Sequence, residues 1–243
     1  MIGSKISGFQ YLIISKPLSI IMKRRKEDID RFYQLLKSLE SKSEKRTLEK
    51  SNGKSGWPGQ GIYFFFEENE LRENGAPRVV RIGTHAVSEG SKTKYWTRLR
   101  QHKGTEKGYG NHRGSVFRKL IGQSIIGKEN LDQFPFWGKK IDRKHKDSEL
   151  ELEKMVTNYI RKMSFLSLTV PGESIKDNDR AYIETNSIAL ISNINKEPID
   201  KPSISWIGYH SNHRDVIASG IWNSDDTDKD YDPNFLDKLE ELI

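Results

Sequence analysis

The stretch GIYFFFE, residues 61–67, commits part of this chain to a β-sheet. Aromatic and β-branched side chains suit a pleated, half-buried surface. Alternation along a strand puts Ile62 and Phe64 on one face and Tyr63 on the other. A second run, RVVRIG at 78–83, has the same character, and the ENELRENGAP between them carries a turn signal at Asn74-Gly75. Two such runs with a short connection predict an antiparallel hairpin.

Around this hairpin the sequence turns helical. Ile29, Phe32, Tyr33, Leu36 and Leu39 recur at helical spacing and predict an amphipathic helix over 26–42. The polar segment 41–56 reads as a flexible charged connection. KYWTRLRQHKG predicts a helix. So does DSELELEKMVTNYIRKM, with a capping-box start at Ser148 and Glu151 and one apolar face formed by Leu152, Met155, Val156, Tyr159, Ile160 and Met163. FLSLTV at 165–170 predicts a strand, and DNDRAYIETNSIALIS a buried helix capped near Asn178/Asp179. ISWIG at 204–208 reads as a short strand or irregular piece. Asp232-Pro233 predicts the start of a last helix, with aspartate as N-cap. Strands and helices are mixed without regular βαβ alternation. The fold class is therefore α+β, a small mixed or antiparallel sheet flanked by helices. The organisation expected is an N-terminal helical extension at 1–55, a core at 56–195 and a C-terminal elaboration at 196–243.

Charge narrows the partners. Among 243 residues, 41 are Lys or Arg and 34 Asp or Glu, a net charge of +7. That excess favours a polyanion, nucleic acid first. The absence of cysteine excludes disulfides and Cys-based zinc sites and agrees with a reducing, cytoplasmic setting. YLIISKPLSIIM at 11–22 is too short to span a bilayer and is interrupted by Lys16-Pro17, so no membrane partner is expected. MKRRKED, from Met22, looks like a natural start, and the first 21 residues are expected to be dispensable or a start-site artefact. DDTDKDYDPNFLD alternates aspartates as a calcium loop does, but Tyr231 stands where the sharp turn needs glycine, so an acidic surface loop is expected. His210 and His213 have no convincing further ligands.

Four segments carry residues of one chemistry: Tyr63 with Gly61 and Ile62, Arg81 with Ile82 and Gly83, Arg98 with His102, and Glu184. If they converge, a phenol, guanidinium groups, an imidazole and a carboxylate form a phosphodiester-cleaving set. In order and character, GIY, then RIG, RLRQH and IETNSIALISN resemble the GIY-YIG nuclease superfamily, over about residues 56 to 195. The Arg-x-x-x-His spacing resembles its restriction-type members. The resemblance implies a Mg²⁺- or Mn²⁺-dependent endonuclease acting on DNA. Tyr63 would activate the attacking water, Arg98 would clamp the phosphate, His102 would contact phosphate or water, and Glu184 would bind the metal. Asn193 would hold the site by hydrogen bonds, with Asn195 competing for that role and a helix C-cap as the plain alternative.

Each of these has an ordinary reading beside it: a core aromatic for Tyr63, a solvated basic face for Arg98 and His102, and a salt bridge to Arg180 for Glu184. Arg81 departs from the family pattern, which has a second tyrosine there. A free phenol has a pKa of about 10, so Arg81 is expected to ease deprotonation of Tyr63 or to contact phosphate. The basic, glycine-rich segment 108–122 offers His112, Arg113, Arg118 and Lys119 to a phosphate backbone, against a plain surface loop. A non-catalytic nucleic-acid-binding protein and an interaction protein with a decayed nuclease site remain as alternatives.

Overall fold

The computed structural model describes residues 8–54, 56–85, 89–91, 93–140, 147–173 and 178–243, with side chains from residue 20 onward. The expectation about the first 21 residues falls largely outside these.

The predicted hairpin forms one side of a four-stranded sheet. Strand β2 (Gly61–Leu71) pairs antiparallel with β3 (Pro77–Thr84) on one side and with β4 (Ser164–Thr169) on the other. The four-stranded order is β1-β4-β2-β3, with every pairing antiparallel. Strand β1 (Arg46–Thr47) lies inside the segment expected to be a flexible connection. It forms because Leu48 is completely buried beside it, which fixes a stretch that charge alone would leave in water. β2 also runs four residues beyond the expected strand, taking in Glu68 to Leu71.

The alternation along β2 sorts two cores. Ile62, Phe64 and Phe66 face α1 (Gly8–Lys42), α5 (Asp179–Ile191) and α7 (Phe235–Leu242), packing on Phe32, Leu36, Ile183, Ile188 and Phe235. Tyr63 and Phe65 face α2 (Tyr95–Lys103), α3 (Val116–Glu129) and α4 (Leu150–Lys162), with Leu99, Phe117, Leu120 and Val156. The period-2 pattern of a strand buried on both faces therefore builds a helix–sheet–helix sandwich.

Several helix boundaries differ from expectation. α1 starts well before Lys26 and runs through Pro17. α4 begins at Leu150 with Glu149 in the cap position and no side-chain cap, so the capping box at Ser148 does not form the helix start. α7 begins at Phe235 rather than at Pro233; the Asp232 carboxylate accepts from the Asn234 amide one turn earlier. Residues 207–210 form a single 3-10 turn, not a strand. α5 is capped as expected, the Asn178 side chain accepting from the Ala181 amide. A short α6 (Arg214–Ser219) precedes the segment 220–223. Among the described residues, no helix is long and apolar enough to cross a membrane.

That segment covers the open edge of β3. The Trp222 amide donates to the Val80 carbonyl at 2.7 Å. The Asn223 side chain then acts as a strand partner, accepting from the Ile82 amide at 3.1 Å and donating to its carbonyl at 2.9 Å. An edge strand is thereby closed without a fifth strand.

Candidate active site

Tyr63 lies across the hairpin from Gly83, and the contact explains the glycine. A Cβ at Gly83 would stand 2.3 Å from the Tyr63 hydroxyl and 2.4 Å from its ring. Gly61 is required on the other flank, where a Cβ would fall 2.2 Å from the Leu168 carbonyl oxygen of β4. Gly83 thus lets a tyrosine lie flat over the strand pair. Gly83→Ala is expected to displace Tyr63 and to lower any Tyr63-dependent turnover by about a hundredfold, the usual cost of an ångström of misplacement. Turnover measured beside a thermal melt, which should stay cooperative, checks this.

The Tyr63 hydroxyl meets His102 Nε2 at 2.9 Å. Both residues are fully buried. Burial, reinforced by the charges of Arg98, Arg81 and Arg118, holds the His102 imidazole well below its ordinary pKa, so it is neutral. Arg81 reaches the same place by strand alternation, two residues from Gly83 and paired with Phe65. A β-bulge follows: Phe66 pairs with Val79, and the extra residue Val80 joins the Tyr63 face. Bulges are common beside functional sites. The Arg81 guanidinium donates to the Trp222 carbonyl and lies 4.8 Å above the Phe117 ring. It feels both Tyr63 and Glu184 electrostatically, and burial lowers its pKa.

Arg98, one turn before His102 on α2, is half-buried. It donates only to Gln101 Oε1 at 3.0 Å and, at 3.4 Å, to the Gly114 carbonyl. No carboxylate of a described residue pairs with it, so its charge remains available to a phosphate. Glu184 comes from the opposite layer. α5 brings it round the edge of β3, where Oε1 accepts from the Thr84 amide at 3.1 Å. The Arg180 pairing is not formed: Arg180 donates to Gln60 Oε1 and to the Val170, Gly172 and Glu173 carbonyls. Burial pushes the Glu184 carboxyl up to about 7, against the opposing charge of Arg81, with Asp226 adding to the rise. An imperfectly compensated carboxyl with one oxygen lacking a protein partner among the described residues suits a hard cation. No group of three or more His, Asp or Glu side chains gathers among the described residues. The donor set therefore fits an ion that keeps most of its waters, as Mg²⁺ does.

A family model described as a GIY-YIG domain matches residues 23–243. The chain belongs to the GIY-YIG family. Comparison with curated proteins and with solved structures found no match. Membership supports a nuclease-type hydrolase in general; the segments that resemble the family's lie on four elements, GIY on β2, RIG on β3, Arg98 and His102 on α2, and Glu184 on α5.

Other sequence-derived residues lie away from this GIY-YIG site. Asn193 follows the end of α5, where its Oδ1 accepts from Arg25 of α1 at 3.1 Å and from the Ile199 amide at 3.0 Å. It staples the outer layer and bonds none of Tyr63, Arg98 or Glu184. Asn195 occupies a left-handed turn position, φ 55°.

The basic segment is turned inward. Arg118 has no exposed surface and binds Glu153 through Nε at 3.0 Å and Nη2 at 2.5 Å. His112 is buried and donates from Nδ1 to the other Glu153 oxygen at 2.9 Å, while its Nε2 accepts from the Gly138 amide. Burial pushes Glu153 up, but the His112 hydrogen bond and the Arg118 charge outweigh it and leave the carboxyl below its ordinary range. Arg113 is more exposed, yet it is forked onto Glu149 at 2.6 and 3.0 Å. Of the four, Lys119 alone keeps a half-exposed ammonium without a charged partner among the described residues. The expectation that His112 and Arg118 face a phosphate backbone is corrected: both are spent on Glu153.

Three contributors were missed by the sequence reading. Ser115 hydrogen-bonds His102 Nδ1 at 2.8 Å, and its place before an apolar helical run is an N-cap signature. Trp222 and Asn223 support Arg81 and the β3 edge, and no local signal marks them.

Proposed function

We propose that this chain is an endonuclease that hydrolyses DNA phosphodiester bonds with a divalent cation, Mg²⁺ or Mn²⁺, held through Glu184. The observation that carries the reading is the convergence of a phenol, cations and a half-buried carboxylate from four separate elements. Tyr63 activates the attacking water: as the phenolate, its own hydroxyl proton having first left to solvent, it takes a proton from that water. Arg98 holds the non-bridging oxygens and offsets the charge that grows on them. Arg81, standing where the family has its second tyrosine, supplies positive charge beside Tyr63. When bound, the cation polarises the phosphate and stabilises the leaving oxygen. The excess of positive charge, +7 over the chain, favours the DNA polyanion, and a cysteine-free chain suits the cytoplasm.

Glu184→Gln keeps the volume and removes the charge. It is expected to lower Mg²⁺-dependent cleavage of plasmid DNA at least about a hundredfold, in keeping with the several kcal/mol a catalytic cation supplies. DNA binding without metal at low salt should persist. Only the ionised carboxylate holds a cation. With the Glu184 carboxyl raised to about 7, cation affinity in the wild type should climb as pH rises toward 7 and level off above it. Equal cleavage by both proteins would refute the assignment. DNA binding with no cleavage in either would favour the non-catalytic binding protein.

A further inference from the structure

We infer that Asn223 is a positioning residue for the reaction. Its side chain clamps the chain to the β3 edge, so that the Trp222 carbonyl holds the Arg81 guanidinium beside Tyr63.

Arg81 needs such a hold. It is buried, and its Nε has no hydrogen-bond partner among the described residues. The other buried β3 arginine, Arg78, is paired with Glu70 at 2.6 Å. Arg81 has no such ion pair among the described residues. The titratable and charged groups facing it are Tyr63 from β2, Arg98 from α2 and Glu184 from α5. Tyr63 shares a hydrogen bond with it, Glu184 attracts it and Arg98 repels it. A buried cation keeps its place only where acceptors meet its N–H groups. The acceptor that the backbone supplies is the Trp222 carbonyl.

That carbonyl is in place because residues 222 and 223 bracket Arg81 along β3. Gly220, at φ 77°, ends α6 and turns the chain onto the edge. The Trp222 amide then docks on the Val80 carbonyl at 2.7 Å, one residue before Arg81. The Asn223 carboxamide docks on both main-chain groups of Ile82, one residue after it, at 3.1 and 2.9 Å. The Trp222 indole adds a bond to Glu67 at 2.9 Å. A carboxamide carries a donor and an acceptor side by side, so Asn223 satisfies the Ile82 N–H and C=O as a strand would. Alanine satisfies neither. It leaves the Val80 bond as the one tie between residues 222–223 and the β3 main chain. The guanidinium, repelled by Arg98, is then free to swing away from Tyr63.

The effect on rate rests on the nuclease reading; the clamp does not. Nitrogen-15 NMR of the arginine-labelled, metal-free full chain reads the hold directly, with the Arg81 signals assigned by their loss in Arg81→Ala. In the wild type, rotation of the Arg81 guanidinium about its Cζ–Nη bonds should be slow. In Asn223→Ala it should be fast enough to average the signals. With Mg²⁺ and plasmid DNA, folded Asn223→Ala should cleave about 10- to 100-fold more slowly, the scale of an ångström of misplacement. The rise of rate with pH should move to higher pH, because the Tyr63 phenolate loses a cation beside it. In an Arg81→Ala background the same substitution should change the rate by less than about threefold, since the two act as one unit. A lowered Tm with unchanged guanidinium signals, rate and pH profile makes Asn223 purely structural and overturns the inference. So does an equal rate loss with and without Arg81, or fast rotation in the wild type. If Asn223→Ala does not fold, Asn223→Ser, which replaces the two-bond clamp by a single hydroxyl, should show the same changes in smaller measure; unchanged signals and rate there overturn the inference. If even the wild type cleaves no DNA, the nuclease reading falls while the arginine spectra still judge the clamp.

Discussion

Tyr63→Phe is expected to lower metal-dependent DNA cleavage by about 10² to 10⁴, the span of a positioned general base, while leaving the fold intact. Phenylalanine fills the space over Gly83 as the tyrosine ring does, and the edge contacts with Phe65 at 5.4 Å and Tyr95 at 6.1 Å survive. What disappears is one hydroxyl, with its bond to His102 and its hydrogen bond with Arg81. A neutral hydrogen bond contributes about 1 kcal/mol to stability and one to a charged group somewhat more, too little to unfold a chain of this size. The pairing of a large rate loss with a small melting shift is thus the signature sought in single-turnover cleavage and thermal denaturation. Groups that act as one unit are not additive. Adding His102→Gln to Tyr63→Phe should therefore cost much less than the two single losses combined. Cleavage within threefold of wild type in Tyr63→Phe would return Tyr63 to the role of a core aromatic.

The parts of this molecule legible in the sequence are those set by local rules. Strand alternation separates Ile62 and Phe64 from Tyr63, and the two cores obey it. The four-residue spacing of Arg98 and His102 puts them on one side of α2, and the apolar stripe of α5 delivers Glu184 from the other layer. Long-range pairing was not legible. Nothing near Arg118 announces Glu153, 35 residues away, so a basic segment that looks solvated in fact holds a deeply buried ionic cluster. The bulge at Val80 is a register event between strands, not a pattern within one. The capping box at Ser148 is a permitted local choice that the helix does not take up. Arg81 lies between these cases. Its departure from the family pattern was visible, but its support by Trp222, 141 residues away, was not.

Arg118→Ala is expected to destabilise the protein by about 3–5 kcal/mol, the cost of leaving one partner of a buried ion pair uncompensated. In a domain of this size that lowers Tm by roughly 10 °C or more. The argument is one of accounting. The guanidinium donates to the Glu153 carboxylate and carbonyl, to Thr157 Oγ1 at 2.7 Å and to the His102 carbonyl, and its loss strands a buried carboxylate. Gly110 shows how tightly the group is held, since a Cβ there would meet the guanidinium carbon at 2.1 Å. Replacing both charges, in Arg118→Leu with Glu153→Leu, should cost less than Arg118→Ala, because a buried pair removed whole leaves no orphaned charge. The competing view, a phosphate contact, makes the opposite forecast. It requires the slope of log affinity for DNA against log salt to fall by about one in Arg118→Ala, with Tm unchanged. Measured side by side on folded protein, melting and salt slope separate the two views: a lowered Tm with an unchanged slope belongs to a structural Arg118, and the reverse belongs to a DNA contact.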